Sequence, residues 1–220
     1  MREKLERAAF LLAGHLKKGQ RVGLGSSDLQ VYIVKELKRR RIEEGLEVEL
    51  VPATTSVANL LYEYKMPIGE LGAKDLDVTI EFADRIDSNL DFVKTKTHSL
   101  VRDKTLAMSS RHVFVVSLHD KVSESLHGLT PFEVNPFGLP HTMKALSRFG
   151  AAFVLTDEER KKVTTEDSNY VAMVDVAREF DLLDVDEVAR KIPAVLETGV
   201  FPHLADVVAL VGKDVAIMQA

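Results

Sequence analysis

Between Glu81 and Lys104 the chain gathers a dense run of ionisable side chains: Glu81, Asp84, Arg85, Asp87, Asp91, Lys94, Lys96, His98, Arg102, Asp103 and Lys104. Carboxylates at the carboxyl end of a strand, followed by lysines, suit proton transfer beside an anionic substrate, because one group takes a proton while the others steady the developing charge. The same residues also read as a solvated loop and helix face. A second candidate is Gly23-Leu24-Gly25-Ser26-Ser27, placed between a short apolar strand and a helix. Free N–H groups at such a junction attract phosphate, although glycine and serine there are also ordinary turn and cap residues.

The elements that must position these groups follow from hydrophobic spacing. Leu5, Ala8, Ala9, Leu12 and Leu16 recur at helical intervals, and Gly19 closes that first helix. Arg21 to Gly25 reads as a buried strand running into a turn, with Ser26 and Ser27 before a helix from about Asp28 to Glu44. Glu47–Val51, Asp77–Glu81 and Val113–Leu118 read as further strands, with a helix at Thr55–Tyr64 between the first two. Strand and helix alternating at this spacing predict a parallel sheet covered on both faces. After His127 come a strand at Phe132–Val134, a helix around Met143–Phe149, strands at Phe153–Leu155 and Val171–Val176, and a helix at Val185–Lys191. That order predicts a small split βαβ unit, and Asp206–Val211 then returns as a buried strand. The fold class is α/β: a Rossmann-like parallel-sheet domain over 1–127 and 205–220, with a smaller α+β, ferredoxin-like lobe over 128–204.

Composition narrows the function. The chain has 220 residues, 45% of them hydrophobic, enough for a full core. It has no cysteine, which removes disulfides, thiolate chemistry and cysteine-ligated zinc. A formal net charge of −5 argues against a nucleic-acid partner. The basic run Lys38-Arg39-Arg40-Arg41 closes a helix and is followed at once by Glu43 and Glu44, the pattern of a solvated helix end. The histidines show no pair at metal-ligand spacing. No apolar run approaches the roughly 20 residues that span a bilayer, and the charged start Met1-Arg2-Glu3-Lys4 reads as no signal peptide. A cytoplasmic protein is expected.

Asp77-Val78-Thr79-Ile80-Glu81-Phe82-Ala83-Asp84-Arg85-Ile86-Asp87-Ser88-Asn89-Leu90 resembles the signature segment of the type A ribose-5-phosphate isomerase family, in which Asp-Gly-Ala-Asp-Glu leads to Asn-Leu. Lys94 to Lys104 is similar to that family's Lys-Gly-Gly-Gly-Gly-Ala stretch closed by Arg-Glu-Lys. Phe132-Glu133-Val134-Asn135-Pro136, Thr165-Glu166-Asp167-Ser168-Asn169 and Ile192 to Phe201 resemble three further family segments, in the family's order along nearly the whole chain.

The resemblance implies interconversion of ribose 5-phosphate and ribulose 5-phosphate through an enediolate, with a carboxylate base and neither metal nor cofactor. It implies Asp103 as the base, with Asp84, Glu81 and Lys94 beside the sugar. Gly25, Ser26, Ser27, Lys96 and Lys121 are then expected near the substrate and its phosphate. A homodimer or homotetramer is expected as well. Several positions depart from the pattern. Asp103 replaces a glutamate and Glu81 an aspartate. Thr95, Lys96, Thr97 and His98 replace glycines, and Phe82 adds bulk beside the carboxylates. Asp28 brings negative charge to the phosphate turn. Two other readings therefore stand beside the isomerase: a catalytically impaired paralogue that binds a sugar phosphate or a partner subunit, and an isomerase of another phosphorylated sugar.

Overall fold

Short apolar segments build the centre of the molecule. The computed structural model describes residues 1–117, 122–212 and 214–219. In chain order come α1 (Arg2–Gly14), β1 (Arg21–Leu24), α2 (Gln30–Glu43), β2 (Glu49–Pro52), α3 (Thr55–Glu63) and β3 (Val78–Ala83). Next are β4 (Arg85–Ile86), β5 (Phe92–Val93), α4 (Leu100–Met108), β6 (Val113–Ser117), β7 (Gly128–Val134) and α5 (Leu139–Leu146). The rest comprises β8 (Gly150–Val154), β9 (Tyr170–Val176), α6 (Leu182–Ala189), β10 (Val195–Thr198), β11 (Val200–Phe201), β12 (Val207–Val211) and β13 (Val215–Gln219).

Strands β1, β3, β6 and β12 are buried along their whole length, as befits parallel strands covered on both faces. They form a six-stranded sheet in the order β13-β12-β6-β3-β1-β2, parallel throughout except for β13, which runs antiparallel to β12. On one face Leu5, Leu12, Ile33 and Leu37 of α1 and α2 meet Leu24, Ile80 and Phe114. On the other, Ala107 of α4 packs with Val113 and Val115. The winding reverses between β1 and β3, and ligands of such sheets bind outside the carboxyl ends of the strands at that switch point. Leu24 pairs with Ile80 there, so Gly25 and Glu81 emerge side by side.

A second, antiparallel sheet has the order β10-β7-β9-β8, with α5 and α6 packed on it through Phe132, Val134, Leu146, Val174 and Val185. The strand–helix–strand–strand–helix–strand order read from sequence is the order found. Some limits differ. α1 ends at Gly14, and Gly19, with φ +85°, serves the turn into β1 instead. α5 begins at Leu139, behind Gly138 at φ +70°. The small sheet β11-β5-β4 is built of two-residue strands, too short to show alternation in a sequence. The basic run is neutralised on its own helix: Arg39 pairs with Glu36, Glu43 and Glu44, and Arg40 with Glu44.

Helix α4 is tied to the second sheet through a buried carboxylate. Glu133 accepts hydrogen bonds from Thr165 Oγ1 (2.8 Å), Asn169 Nδ2 (2.9 Å) and the Val101 amide at the start of α4 (3.0 Å). Replacing Glu133 with alanine strands these buried donors. The variant is expected to lose about 3 kcal/mol of stability in urea unfolding.

Candidate active site

The carboxyl ends of β1, β2 and β3 open into one cavity of about 650 Å³. The turn after β1 contributes Ser26, Ser27 and Asp28, and the start of α3 contributes its N-cap Thr54 and Ser56 of its first turn. Phe82, Ala83 and Asp84 come from the end of β3. The segment between β5 and α4 supplies Lys94, Lys96, Thr97, His98 and Ser99, and Thr164 and Glu166 reach in from the loop after β8. Successive side chains of a strand point to opposite faces. Phe82 accordingly lines the cavity, while Glu81 turns the other way towards α4.

Beneath this wall lies a closed ionic cluster. Lys94 Nζ donates to Asp103 Oδ2 at 2.6 Å and also to Glu81 Oε2, and all three side chains are buried. Asp103 accepts further hydrogen bonds from the Ser26 amide (2.7 Å), Ser26 Oγ (2.5 Å) and Thr97 Oγ1 (2.8 Å). Ser26, Thr97 and Lys94 thus line the cavity with one side and hold Asp103 with the other. A Cβ on Gly25 would stand 2.0 Å from Glu81 Oε2, so only glycine fits against that carboxyl group. Asp84 lies at the cavity wall, where its Oδ2 accepts the amides of Thr95 (2.6 Å) and Lys96 (3.2 Å). The Lys96 side chain is 82% exposed, and its ammonium stands 3.9 Å from Asp84.

Burial pushes the Glu81 carboxyl up to about 8, against the pull of Lys94 and with the help of the nearby Asp103 charge. Burial alone would lower the Lys94 ammonium, but Asp103 and Glu81 together hold it above its usual value.

Three consecutive residues of α4 are anchored in three directions. Arg102 makes a double hydrogen bond to Asp167 in the loop after β8 (2.6 and 3.0 Å). Asp103 enters the cluster. Lys104, buried, pairs with Glu197 of β10 at 2.6 Å and with Asp186 of α6 at 3.7 Å. Burial lowers the Lys104 ammonium, opposed by those two carboxylates. Gly199 lets the backbone of Lys94 approach: its N–H and C=O bond Pro131 and Lys94, and a Cβ there would meet Lys94 O at 2.6 Å.

Of the residues expected from sequence, Ser26, Ser27, Asp84, Lys94 and Lys96 line the cavity. Gly25, Glu81 and Asp103 sit behind it, joined to it by the contacts above. Lys121 lies outside the described residues. Sequence reasoning missed Thr54, Ser56 and Ser99 in the wall. Their signal was faint, since Thr54 and Ser99 merely occupy helix N-cap positions. Glu166 was seen only as part of a turn. It accepts the Thr55 amide (3.1 Å) and hydroxyl (2.8 Å) at the start of α3.

Fold and site together define an α/β protein with an acid–base cluster under a hydroxyl-lined cavity at a switch point. The family profile described as ribose 5-phosphate isomerase A (phosphoriboisomerase A) matches residues 49–215. The chain is 32% identical over 217 residues to a ribose-5-phosphate isomerase A of Methanosarcina acetivorans, covering 96% of this chain and 91% of the relative. Against ribose-5-phosphate isomerase A 1 of Oceanobacillus iheyensis the identity is 29%, covering 96% of each chain. The solved structure of ribose 5-phosphate isomerase A from Methanocaldococcus jannaschii superposes with a TM-score of 0.91 at 24% identity, covering 100% of this chain and 99% of that one. This chain belongs to the ribose 5-phosphate isomerase A family. Among the described residues no helix is long and apolar enough to cross a membrane.

The shift of Glu81 has a consequence for stability. The unfolded chain releases that proton near 4.5 and the folded chain near 8, so the folded state binds more protons between those values and loses stability as pH rises through them. Lys94, held above 10.5, does not titrate in that window. Urea unfolding at pH 5, 7 and 9 is expected to show the wild type losing stability relative to Glu81→Gln up to about pH 8 and levelling off above it.

Proposed function

We propose that this chain interconverts ribose 5-phosphate and ribulose 5-phosphate, with Asp103 as the base. One observation carries the reading: the Asp103 carboxylate is bonded directly to three residues of the cavity wall, Ser26, Thr97 and Lys94. In the open-chain aldose, Asp103 takes the proton from C2. The electron pair of that C–H bond forms the C1=C2 bond, and the carbonyl pair moves onto O1, giving the enediolate. Asp103 then returns the proton to C1, while the O2 hydroxyl proton passes to O1 and leaves a ketone at C2. Lys94 holds Asp103 through its ammonium, Glu81 holds Lys94 from behind, and Asp84 meets the sugar hydroxyls. Ser26, Ser27 and Lys96 receive the phosphate end, with Lys121 assigned to it from the family pattern.

The engagement of both Asp103 oxygens favours a second reading, a family member that binds a sugar phosphate without turning it over. Oδ2 accepts from Ser26, Thr97 and Lys94 together, so for catalysis the Ser26 and Thr97 hydroxyls must rotate from Oδ2 onto substrate. Turnover of ribose 5-phosphate, followed as ribulose 5-phosphate appears, separates the two. The wild type is expected to turn over and Asp103→Asn to lose at least about a thousandfold in kcat. Folded but inactive wild type selects the second reading. Gly25→Ala, which drives a methyl group into the Glu81 carboxyl, is expected to lower kcat about a hundredfold by displacing the cluster on the order of 1 Å.

A further inference from the structure

An enediolate needs hydrogen-bond donors at the oxygen where charge develops. Three of the backbone amides in the segment between Lys94 and α4 are engaged internally, which leaves those of Thr97 and His98 beside any side-chain donor the cavity offers. Thr95 and Lys96 donate to Asp84, and Ser99 N donates to Thr97 Oγ1 at 3.1 Å. The hydroxyls of Ser26 and Thr97 donate to Asp103.

The Ser99 hydroxyl differs from these. Ser99 lines the cavity, is 1% exposed, and its Oγ is buried with no hydrogen-bond partner. A serine at a helix N-cap ordinarily bonds an amide of the first turn. Ser99 occupies the N-cap of α4 without such a bond, and the nearby Val101 amide is taken by Glu133. Asp103 lies four residues on, its amide donating to Ser99 O at 2.9 Å. That bond closes the first turn of α4 and brings Ser99 and Asp103 one turn apart. The N-terminus of α4 adds its own partial positive charge.

We propose that the Ser99 hydroxyl donates to the sugar oxygen that gains negative charge on enolisation, a side-chain donor placed one helical turn from the base. The assignment rests on the isomerase reading for its chemistry, yet binding tests it separately. Two probes serve: 4-phosphoerythronate, whose carboxylate stands in for the enediolate oxygens, and ribitol 5-phosphate, uncharged at that end. For Ser99→Ala, kcat is expected to fall about a hundredfold with KM within about threefold, since the contact forms mainly in the transition state. Calorimetry is expected to show 4-phosphoerythronate bound at least about tenfold more weakly, with ribitol 5-phosphate unchanged. Ser99→Thr, which keeps the hydroxyl, is expected to retain both properties. Equal affinity of Ser99→Ala and wild type for 4-phosphoerythronate overturns the assignment, as does a parallel loss for both probes or a wild type that binds neither. A selective loss in a wild type that turns over no ribose 5-phosphate keeps the donor and removes the isomerase reading.

Discussion

An ammonium group held out of water between two carboxyl groups constrains much of this molecule. Desolvating a single ion costs several kcal/mol unless close partners compensate it, and Lys94 has Asp103, Glu81 and the face of Phe201, 5.9 Å away. Keeping those partners in contact dictates details that otherwise look unrelated. Gly25 and Gly199 lack side chains where one would strike Glu81 or the Lys94 backbone. Phe92 and Phe201 stack at 4.6 Å below the lysine, pairing β5 with β11.

The anchoring of α4 bears on Asp103, the base proposed above. Because Arg102, Asp103 and Lys104 each bind a different part of the structure, the helix cannot slide to compensate for a missing methylene without breaking its neighbours' contacts. The donors come to the aspartate instead. Threonine at position 97 and serine at position 26 reach in with hydroxyls, so the glycine-to-threonine change in the loop and the glutamate-to-aspartate change on the helix fit one another sterically. The same fit engages both oxygens of Asp103.

The main sheet was legible because its strands are uninterrupted apolar runs with helices between them, and the second sheet because its element order is distinctive. Two-residue strands carry no such pattern. In the site, Asp84, Lys94 and Asp103 were legible through resemblance to the family segments, while their mutual contacts depend on long-range pairing of β3, β5 and β11. Glu81 was expected at the substrate, yet alternation along β3 turns it away and presents Phe82. Ser99 escaped notice because its distinction is a missing partner, which only a folded environment can define.

The cavity has walls of unequal stiffness. Its floor is the buried cluster, shielded from salt and packed on all sides. Its rim is closed by Glu166 on the start of α3 and by Arg102 with Asp167, exposed contacts of the sort that contribute about 0–1 kcal/mol and weaken with ionic strength. The buried floor therefore resists change in its spacing more than the rim does. Substitutions at the rim should thus change the mouth of the cavity with little effect on the Lys94 cluster beneath it.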